Sequence, residues 1–300
     1  MRVLISGASG MVGSALAAYL TSQGDQADRL VRRNPQQEGE IAWYPEDKSV
    51  EPTHMEGYDV VYHLAGENIA EGRWTDEKKA RIRDSRIVGT SFLCDTLAKL
   101  AKPPGKIVAA SAIGFYGDRE DEILREDSSP GEGFLPNVCE GWEQATKTAS
   151  GEGIPVVNCR IGIVLDKSGG ALAKMLLPFK MGVGGTLGPG TQYMSWITLV
   201  DLVGALHYCA ENDSLTGPVN AVAPNAVTNR AFTKALGRTI HRPTLLPMPA
   251  FAAKLAFGEM ADALLLSSTR VEPRRLLESG FTFQHPEIEP ALETVLAKQD

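Results

Sequence analysis

The first half of the chain alternates short apolar runs with longer stretches of helical periodicity. Val3–Ile5, Ala27–Val31, Tyr58–Leu64, Lys106–Ala110 and Pro155–Ile161 are each short and rich in apolar residues, some of them on consecutive positions. Such runs predict strands buried on both faces, as in a parallel sheet. Met11–Ser22 carries small and apolar residues on one helical face. Asp76–Lys99 predicts a long charged helix with an apolar line through Ile82, Ile87, Phe92 and Leu97, and Pro136–Ser150 a further helix. This alternation predicts an α/β fold, a doubly wound parallel sheet covered by helices. After Leu165 the texture changes. A helix over Ala171–Met181 leads into a glycine-rich stretch, Gly182–Gly190, and a helical, proline-punctuated segment runs from Thr228 to the end. We assign residues 1–165 to the main domain, with a strand and a helix from about 190–225. Residues 166–190 and 226–300 form a smaller α-rich lobe expected to carry the substrate.

Charge and cysteine content narrow the partners. The 300 residues carry a net charge of −7, which argues against a general affinity for nucleic acid or for an anionic membrane. No apolar run is long enough to span a bilayer. The chain enters a strand at once, so no leader is expected, and Cys94, Cys139, Cys159 and Cys209 show no paired spacing, consistent with reduced thiols in a cytoplasmic protein. His207, His241 and His285 are isolated, and no metal is expected.

The sharpest motif is Ser6-Gly-Ala-Ser-Gly-Met-Val-Gly13, with glycines at 7, 10 and 13 between a strand and a helix. Gly7 permits a tight turn, Gly10 lets the backbone approach a pyrophosphate, and Gly13 lets the helix pack closely on the strand. The helix start offers free N–H groups and the positive end of its dipole to phosphates. This is a Rossmann dinucleotide site. An NAD site needs a carboxylate at the end of the second strand, but that strand ends in Leu30-Val-Arg-Arg33. Two guanidiniums suit a 2′-phosphate, so NADP(H) is the expected cofactor. Asp28 lies inside the strand, too early to reach the ribose.

These residues, with His63-Leu-Ala-Gly66 and Ser111–Gly117, resemble the short-chain dehydrogenase/reductase superfamily in its extended, NAD(P)-dependent epimerase-like branch. Leu64–Ile69, Arg73-Trp74, Gly141-Trp-Glu143, Leu177–Lys180, Asn220–Pro224 and Gly280–Phe283 are similar to an atypical group of that branch, nucleoside-diphosphate-sugar epimerase-like proteins with their own C-terminal domain. The resemblance covers the whole chain. It implies that Gly7, Ser9, Gly10, Met11, Val12 and Gly13 line the pyrophosphate and that Arg32 and Arg33 take the 2′-phosphate. It further implies that Leu64, Ala65 and Gly66 pass the ribose and diphosphate, that Arg86 faces the cofactor and that Val164 closes the nicotinamide end. A small-molecule substrate follows, with nucleotide-sugars as candidates, and a homodimer.

The resemblance also exposes a gap. Superfamily enzymes use a Ser or Thr, a Tyr and a Lys, helped by an Asn. Here Leu135 stands at the Tyr position, Cys139 at the Lys, Ala112 at the Ser and Arg86 at the Asn. A leucine cannot move a proton. Substitute donors are Tyr116, Ser111, Cys139, Glu140 and Glu67. Against them, Tyr116 and Cys139 also suit packing, and Glu140 and Glu143 suit the first turn of a helix. Two readings stay open: an oxidoreductase or epimerase with a rearranged site, or a non-catalytic NADP(H)-binding sensor or scaffold.

Overall fold

The computed structural model describes residues 1–297; residues 298–300, the end of the expected lobe, lie outside the described residues. Its main sheet has eight strands: β1 (Arg2–Ser6), β2 (Gln26–Val31), β3 (Glu40–Tyr44), β4 (Ser49–Val50), β5 (Val60–His63), β6 (Lys106–Ala112), β7 (Val156–Ile161) and β8 (Gly217–Ala221). Their spatial order is β8-β7-β6-β5-β1-β2-β3-β4, parallel throughout except for the β3–β4 pair. The helices are α1 (Met11–Ser22), α2 (Asp76–Leu97), α3 (Phe134–Gln144), α4 (Lys147–Gly151), α5 (Gly170–Lys180), α6 (Leu199–Glu211), α7 (Asn229–Thr239), α8 (Ala250–Phe257), α9 (Arg274–Ser279) and α10 (Ile288–Leu296).

The consecutive apolar positions of the strands explain the two layers. Val3 and Ile5 of β1 pack with Leu16 and Leu20 of α1 and with Leu202 and Leu206 of α6. Leu4, between them, faces the other way and joins Leu93 and Leu97 of α2. Each such side chain, fully buried, contributes about 1.5–3 kcal/mol. The sheet is therefore clamped from both faces, as a doubly wound fold requires. The smaller lobe has its own core, where Leu172, Leu176 and Phe179 of α5, Phe232 and Leu236 of α7, and Leu292 of α10 surround Trp196. The Asp201 carboxylate in α6 fastens this lobe's tail by accepting from the N–H groups of Gln284 (2.7 Å) and His285 (2.9 Å).

Two features depart from the sequence reading. β3 and β4 were not anticipated; Ile41 and Trp43 of β3 alternate with partly exposed neighbours, a short amphipathic signal set among charged residues. The single helix expected over Pro136–Ser150 is two, starting earlier and breaking at Ala145–Thr146. At the break Thr146 Oγ1 donates to the Glu143 carbonyl (2.8 Å) and accepts from Asn158 Nδ2 (3.2 Å), so the turn is held by side chains instead of continuing the helical ladder.

A buried hydrogen-bonded chain joins β1, β5 and α2 beneath the glycine turn. Ser6 Oγ accepts from the N–H groups of Leu64 (3.2 Å) and Ala65 (3.3 Å), so its own proton goes to His63 Nδ1 at 2.7 Å. His63 Nε2 then donates to Thr90 Oγ1 at 2.8 Å. Burial pushes the His63 imidazole down to about 4. Below about pH 6.5 the unfolded chain binds a proton here that the folded chain refuses until about pH 4, so this contribution is complete above pH 6.5 and is lost as pH falls toward 4. We expect urea unfolding at pH 5 to show roughly 2 kcal/mol less stability than at pH 7. His63→Gln should flatten that slope; an unchanged slope would place its origin in other groups.

Candidate functional site

The glycine turn sits at the carboxyl edge of the sheet, between β1 and α1. Gly7 has φ +71°, and a Cβ there would lie 2.7 Å from the Leu64 carbonyl carbon and 2.8 Å from Ala65 N. The turn is thus pressed against the Leu64–Gly66 strand end, which the Ser6–His63 bond holds in place. A Cβ on Gly13 would collide with Gly7 O, so α1 can pack at this depth only with glycine there. Gly10 is different. A Cβ on it would meet only Gly7 O, at 3.4 Å, and otherwise open space. Gly10 is also the N-cap of α1, with no side chain bonded to the helix start and no acidic residue in the first turn. Ser9 and Gly10 are exposed, and Met11 and Val12 half-buried. Here is a cradle of backbone N–H groups beside an uncapped dipole end, open on one side.

The cradle's far wall comes from the segment after β7. Ile163–Leu165 pairs with Trp196–Thr198, and the chain then turns back so that a Cβ on Gly169 would lie 3.0 Å from Met11 Sδ. A Cβ on Gly170 would lie 3.3 Å from Met11 Cε and 3.5 Å from Val164 O. Met11 and Val164, far apart in sequence, are brought together here.

The two arginines after β2 part company. Arg33 forms a bidentate pair with Glu40 (Nη1–Oε2 2.9 Å, Nη2–Oε1 2.6 Å), and Glu40 also accepts from Gln36 N at 2.8 Å. The Arg33 hydrogen bond, with that of Gln36, holds the Glu40 carboxyl below its ordinary range. Arg32 is exposed and takes no carboxylate partner among the described residues. Asp28 is occupied inside the sheet, accepting from Tyr58 OH (2.6 Å) and from Arg2 Nη2 (3.4 Å).

Arg86 of α2 lies under Gly66, where a Cβ would meet its Cζ at 3.4 Å. Its Nη1 donates to the carbonyls of Glu67 and Ile82, both at 3.1 Å, and its Cζ lies 4.9 Å from the Trp142 ring centroid. Burial lowers its pKa, partly offset by Glu67. Leu135, at the position resembling the Tyr, is buried with Trp74, Ile82 and Met260. The Cys139 Sγ is 3.7 Å from where a Gly114 Cβ would stand, and burial pushes the thiol up to about 12.

The proposed proton donors are placed plainly. Tyr116 is fully buried. Its phenol accepts from Arg160 Nη1 (2.9 Å) and has two acceptors for its one proton, Asn220 Oδ1 at 2.7 Å and Arg125 O at 3.0 Å. Burial drives its pKa to about 12. Ser111 Oγ donates to Glu143 Oε1 (2.8 Å), and Glu143 is paired with Arg160 through Nε–Oε1 at 2.7 Å and Nη2–Oε2 at 2.8 Å. Ser111, Glu143, Arg160, Tyr116 and Asn220 therefore form one network linking β6, α3, β7 and β8. Tyr116, expected as the first donor, has its oxygen enclosed and its hydrogen bonds taken up by Arg160, Asn220 and Arg125. Glu67 is held below its ordinary range chiefly by Lys78 at 2.6 Å, with Arg81 at 3.6 Å, and stays anionic.

Glu140 and Glu143 lie past the first turn of α3, which starts at Phe134, so the helix-start reading of both is corrected. Glu140 instead faces a groove of about 570 Å³ between α3, α4 and the β7–β8 edge; no glycine-turn residue lines it. The glycine-rich stretch turns the chain: Gly182, Gly188 and Gly190 have positive φ, and Leu187 N donates to Asn229 Oδ1 at 2.8 Å. The Arg160–Glu143 pair was missed. Its signal was a lone charged residue, Arg160, inside a buried strand whose other polar side chain is Asn158, which demands a buried anion.

Comparison with known proteins matches this architecture. The pattern of the NAD dependent epimerase/dehydratase family matches residues 3–223, and that of a domain of unknown function, DUF1731, matches residues 248–295. Epimerase family protein Mb2239 of Mycobacterium bovis is 43% identical over 290 residues, spanning 97% of this chain and 96% of its own. The crystal structure of human epimerase family protein SDR39U1 (isoform 2) with NADPH has a TM-score of 0.91 and 32% identity, covering 98% of this chain and 99% of that one. A nucleoside-diphosphate sugar epimerase from Corynebacterium glutamicum has a TM-score of 0.81 and 35% identity, covering 99% of this chain and 58% of that one. The chain belongs to the NAD-dependent epimerase/dehydratase family, with a DUF1731 segment at its C-terminal end.

Proposed function

We propose that this protein binds NADP(H) at the carboxyl edge of its sheet and that chemistry there, where it occurs, runs without a tyrosine–lysine pair. The observation carrying this reading is the start of α1: uncapped, free of acidic residues, and open above Gly10. Gly7, Ser9, Gly10, Met11, Val12 and Gly13 hold the pyrophosphate through backbone N–H groups. Leu64, Ala65 and Gly66 form the adjoining wall. Arg32 takes the 2′-phosphate, while Arg33, pinned to Glu40, shapes the loop that presents Arg32. The SDR39U1 structure, solved with NADPH, supports the same cofactor here. When bound, a nicotinamide supplies or accepts hydride.

At the reacting end the chain offers Arg86 and Val164, with Ala112, Leu135 and Cys139 nearby. Arg86 is a fixed cation that can hold or polarise an oxygen; a leucine and a protonated thiol cannot shuttle protons at neutral pH. The activity is that of an oxidoreductase or an epimerase acting on a small molecule held by the smaller lobe. The name of the Corynebacterium relative supports nucleotide-sugars as candidates. A homodimer in the cytoplasm completes this reading. The spent state of Tyr116 and Ser111 favours a second reading, in which the protein binds NADP(H) without turnover as a sensor or scaffold. NADPH oxidation against a panel of carbonyls and nucleotide-sugars separates the two.

Three outcomes test the assignments. Arg32→Ala should lower NADPH affinity by at least about tenfold in calorimetry, the loss of one charge-assisted pair, with NADH affinity unchanged. Equal losses for both cofactors would remove Arg32 from the 2′-phosphate. Gly10→Val should fold normally, since only Gly7 O lies near its Cβ, yet lose NADPH binding by more than about tenfold. Retained binding would put the pyrophosphate elsewhere. Tyr116→Phe should leave NADPH affinity unchanged and reduce stability by about 1–3 kcal/mol, because it strips partners from buried Arg160 and Asn220. A stable variant with turnover down a hundredfold on some substrate would restore Tyr116 as a proton donor.

A further inference from the structure

The smaller lobe has a surface unlike the rest of the molecule. Of the thirteen large apolar side chains exposed among the described residues, eight lie between Leu177 and Leu255 on this lobe. Exposure reaches 74% at Phe251, 77% at Leu255 and 82% at Leu245. They are ordered. Leu177 and Met181 are one helical turn apart at the end of α5, while Leu172, Leu176 and Phe179 face the core. Phe251 and Leu255 are likewise a turn apart on α8, opposite the buried Ala253 and half-buried Phe257. Two outward apolar stripes therefore stand on separate helices.

The chain ties the stripes side by side. Arg242 Nε donates to the Lys180 carbonyl at 3.0 Å, bringing the segment after α7 against the end of α5. Gly188 N donates to Met248 O and Met248 N donates to Thr186 O, both at 2.9 Å, which sets Leu245 and Leu246 between α5 and α8. The charge around them is predominantly positive: Lys254 pairs with Asp262 (2.8 Å) and Arg238 with Glu289 (2.6 Å), while Lys174, Lys180, Arg230, Lys234 and Arg242 take no carboxylate partner among the described residues. Residues 171–190 and 226–258 contain seven lysines and arginines and no aspartate or glutamate, in a chain of net charge −7. Lys180 lies beside Met181, and Lys254 between Phe251 and Leu255. The whole-chain charge thus averages over a lobe with an excess of cations.

We propose that this face is a peripheral docking surface for an anionic lipid bilayer, into whose headgroup region Leu177, Met181, Leu245, Phe251 and Leu255 insert while the lysines and arginines meet lipid phosphates. Projecting apolar residues interleaved with cations are the requirements of an interfacial site. A surface with an excess of cations over carboxylates complements a uniformly anionic sheet. The residues project from helix ends and a loop instead of lining a groove, so they need no shape-matched partner. No helix among the described residues is long and apolar enough to cross a membrane, so attachment is to the surface.

Co-sedimentation of the full chain with vesicles tests this. It should pellet with phosphatidylglycerol–phosphatidylcholine vesicles, not with phosphatidylcholine alone, and be released as salt shortens the Debye length. The double variant Phe251→Ser with Leu255→Ser should weaken partitioning by at least about tenfold, and Lys180→Glu by a comparable factor. Both should keep the wild-type circular dichroism spectrum and NADPH affinity. No binding to the mixed vesicles would overturn the proposal, as would binding that both variants retain. A wild-type dimer in sedimentation velocity that the double variant breaks, without vesicle binding, would assign the face to a second copy instead.

Discussion

The site depends on one close approach: the backbone of the Gly7 turn lies against the backbone of Leu64 and Ala65. Two adjacent parallel strands must end at the same height with no side chain between them. Gly7 removes the side chain, and the buried Ser6–His63–Thr90 chain fixes the height. The bond is directional, so it does what apolar packing of β1 against β5 cannot: it selects one register of the loop above. The helix start follows from it. Once the turn is seated, the clash a Cβ on Gly13 would make with Gly7 O sets how deeply α1 can sink. The position of the free N–H groups then follows from geometry alone. An imidazole kept neutral by burial suits this place, because a protonated ring would have to give up its bond from Ser6.

On the other side of β5, several of the groups that would be sought for proton transfer are hydrogen-bonded to one another. Arg160 and Glu143 form a bidentate pair under the carboxyl ends of β6 and β7; Ser111, Tyr116 and the Glu126 carbonyl bond to it directly, and Asn220 accepts from Tyr116. A buried pair gains little net stability over an apolar replacement, but breaking one partner leaves a charge stranded. Within this network the hydroxyl protons of Ser111 and Tyr116 already have acceptors, in Glu143 and Asn220. The cation next to the site is Arg86, which is not part of that network and reaches Gly66 from α2.

Much of this was legible in the sequence because the relevant constraints are local. Glycine spacing, a strand before it and a helix after it are consecutive features, and so is the arginine pair that follows β2. The layers of the sheet were legible for the same reason: Val3, Leu4 and Ile5 announce burial on two faces within three residues. What could not be read was the partner of each charge. Arg32 and Arg33 are equivalent in sequence and differ only because Glu40, on a strand too short and too mixed to stand out, folds back onto one of them. Tyr116 follows a strand at the sheet's carboxyl edge, where ligands gather, yet its enclosure comes from Asn220 and Arg160, each far along the chain. The break between α3 and α4 has the same origin, since Asn158 from β7 supplies one of its bonds.

These observations separate binding from chemistry in space. Phosphate recognition is built from backbone and glycine, so it tolerates wide change in the side chains around it, whereas proton transfer needs particular groups at particular pKa values. Here the glycine turn and the open helix start stand beside an Arg32 with no carboxylate partner among the described residues, and the carboxyl edge beyond β5 carries a packed polar network. A scaffold of this kind can keep an affinity for a dinucleotide whatever side chains stand beyond β5. The smaller lobe is where exposed apolar residues and an excess of cations accumulate, on helix faces that α5, α7 and α10 do not need for their own core. Since α5 starts at Gly170 against Met11 and ends among those exposed residues, one rigid helix of eleven residues connects the cofactor cradle to the outward face.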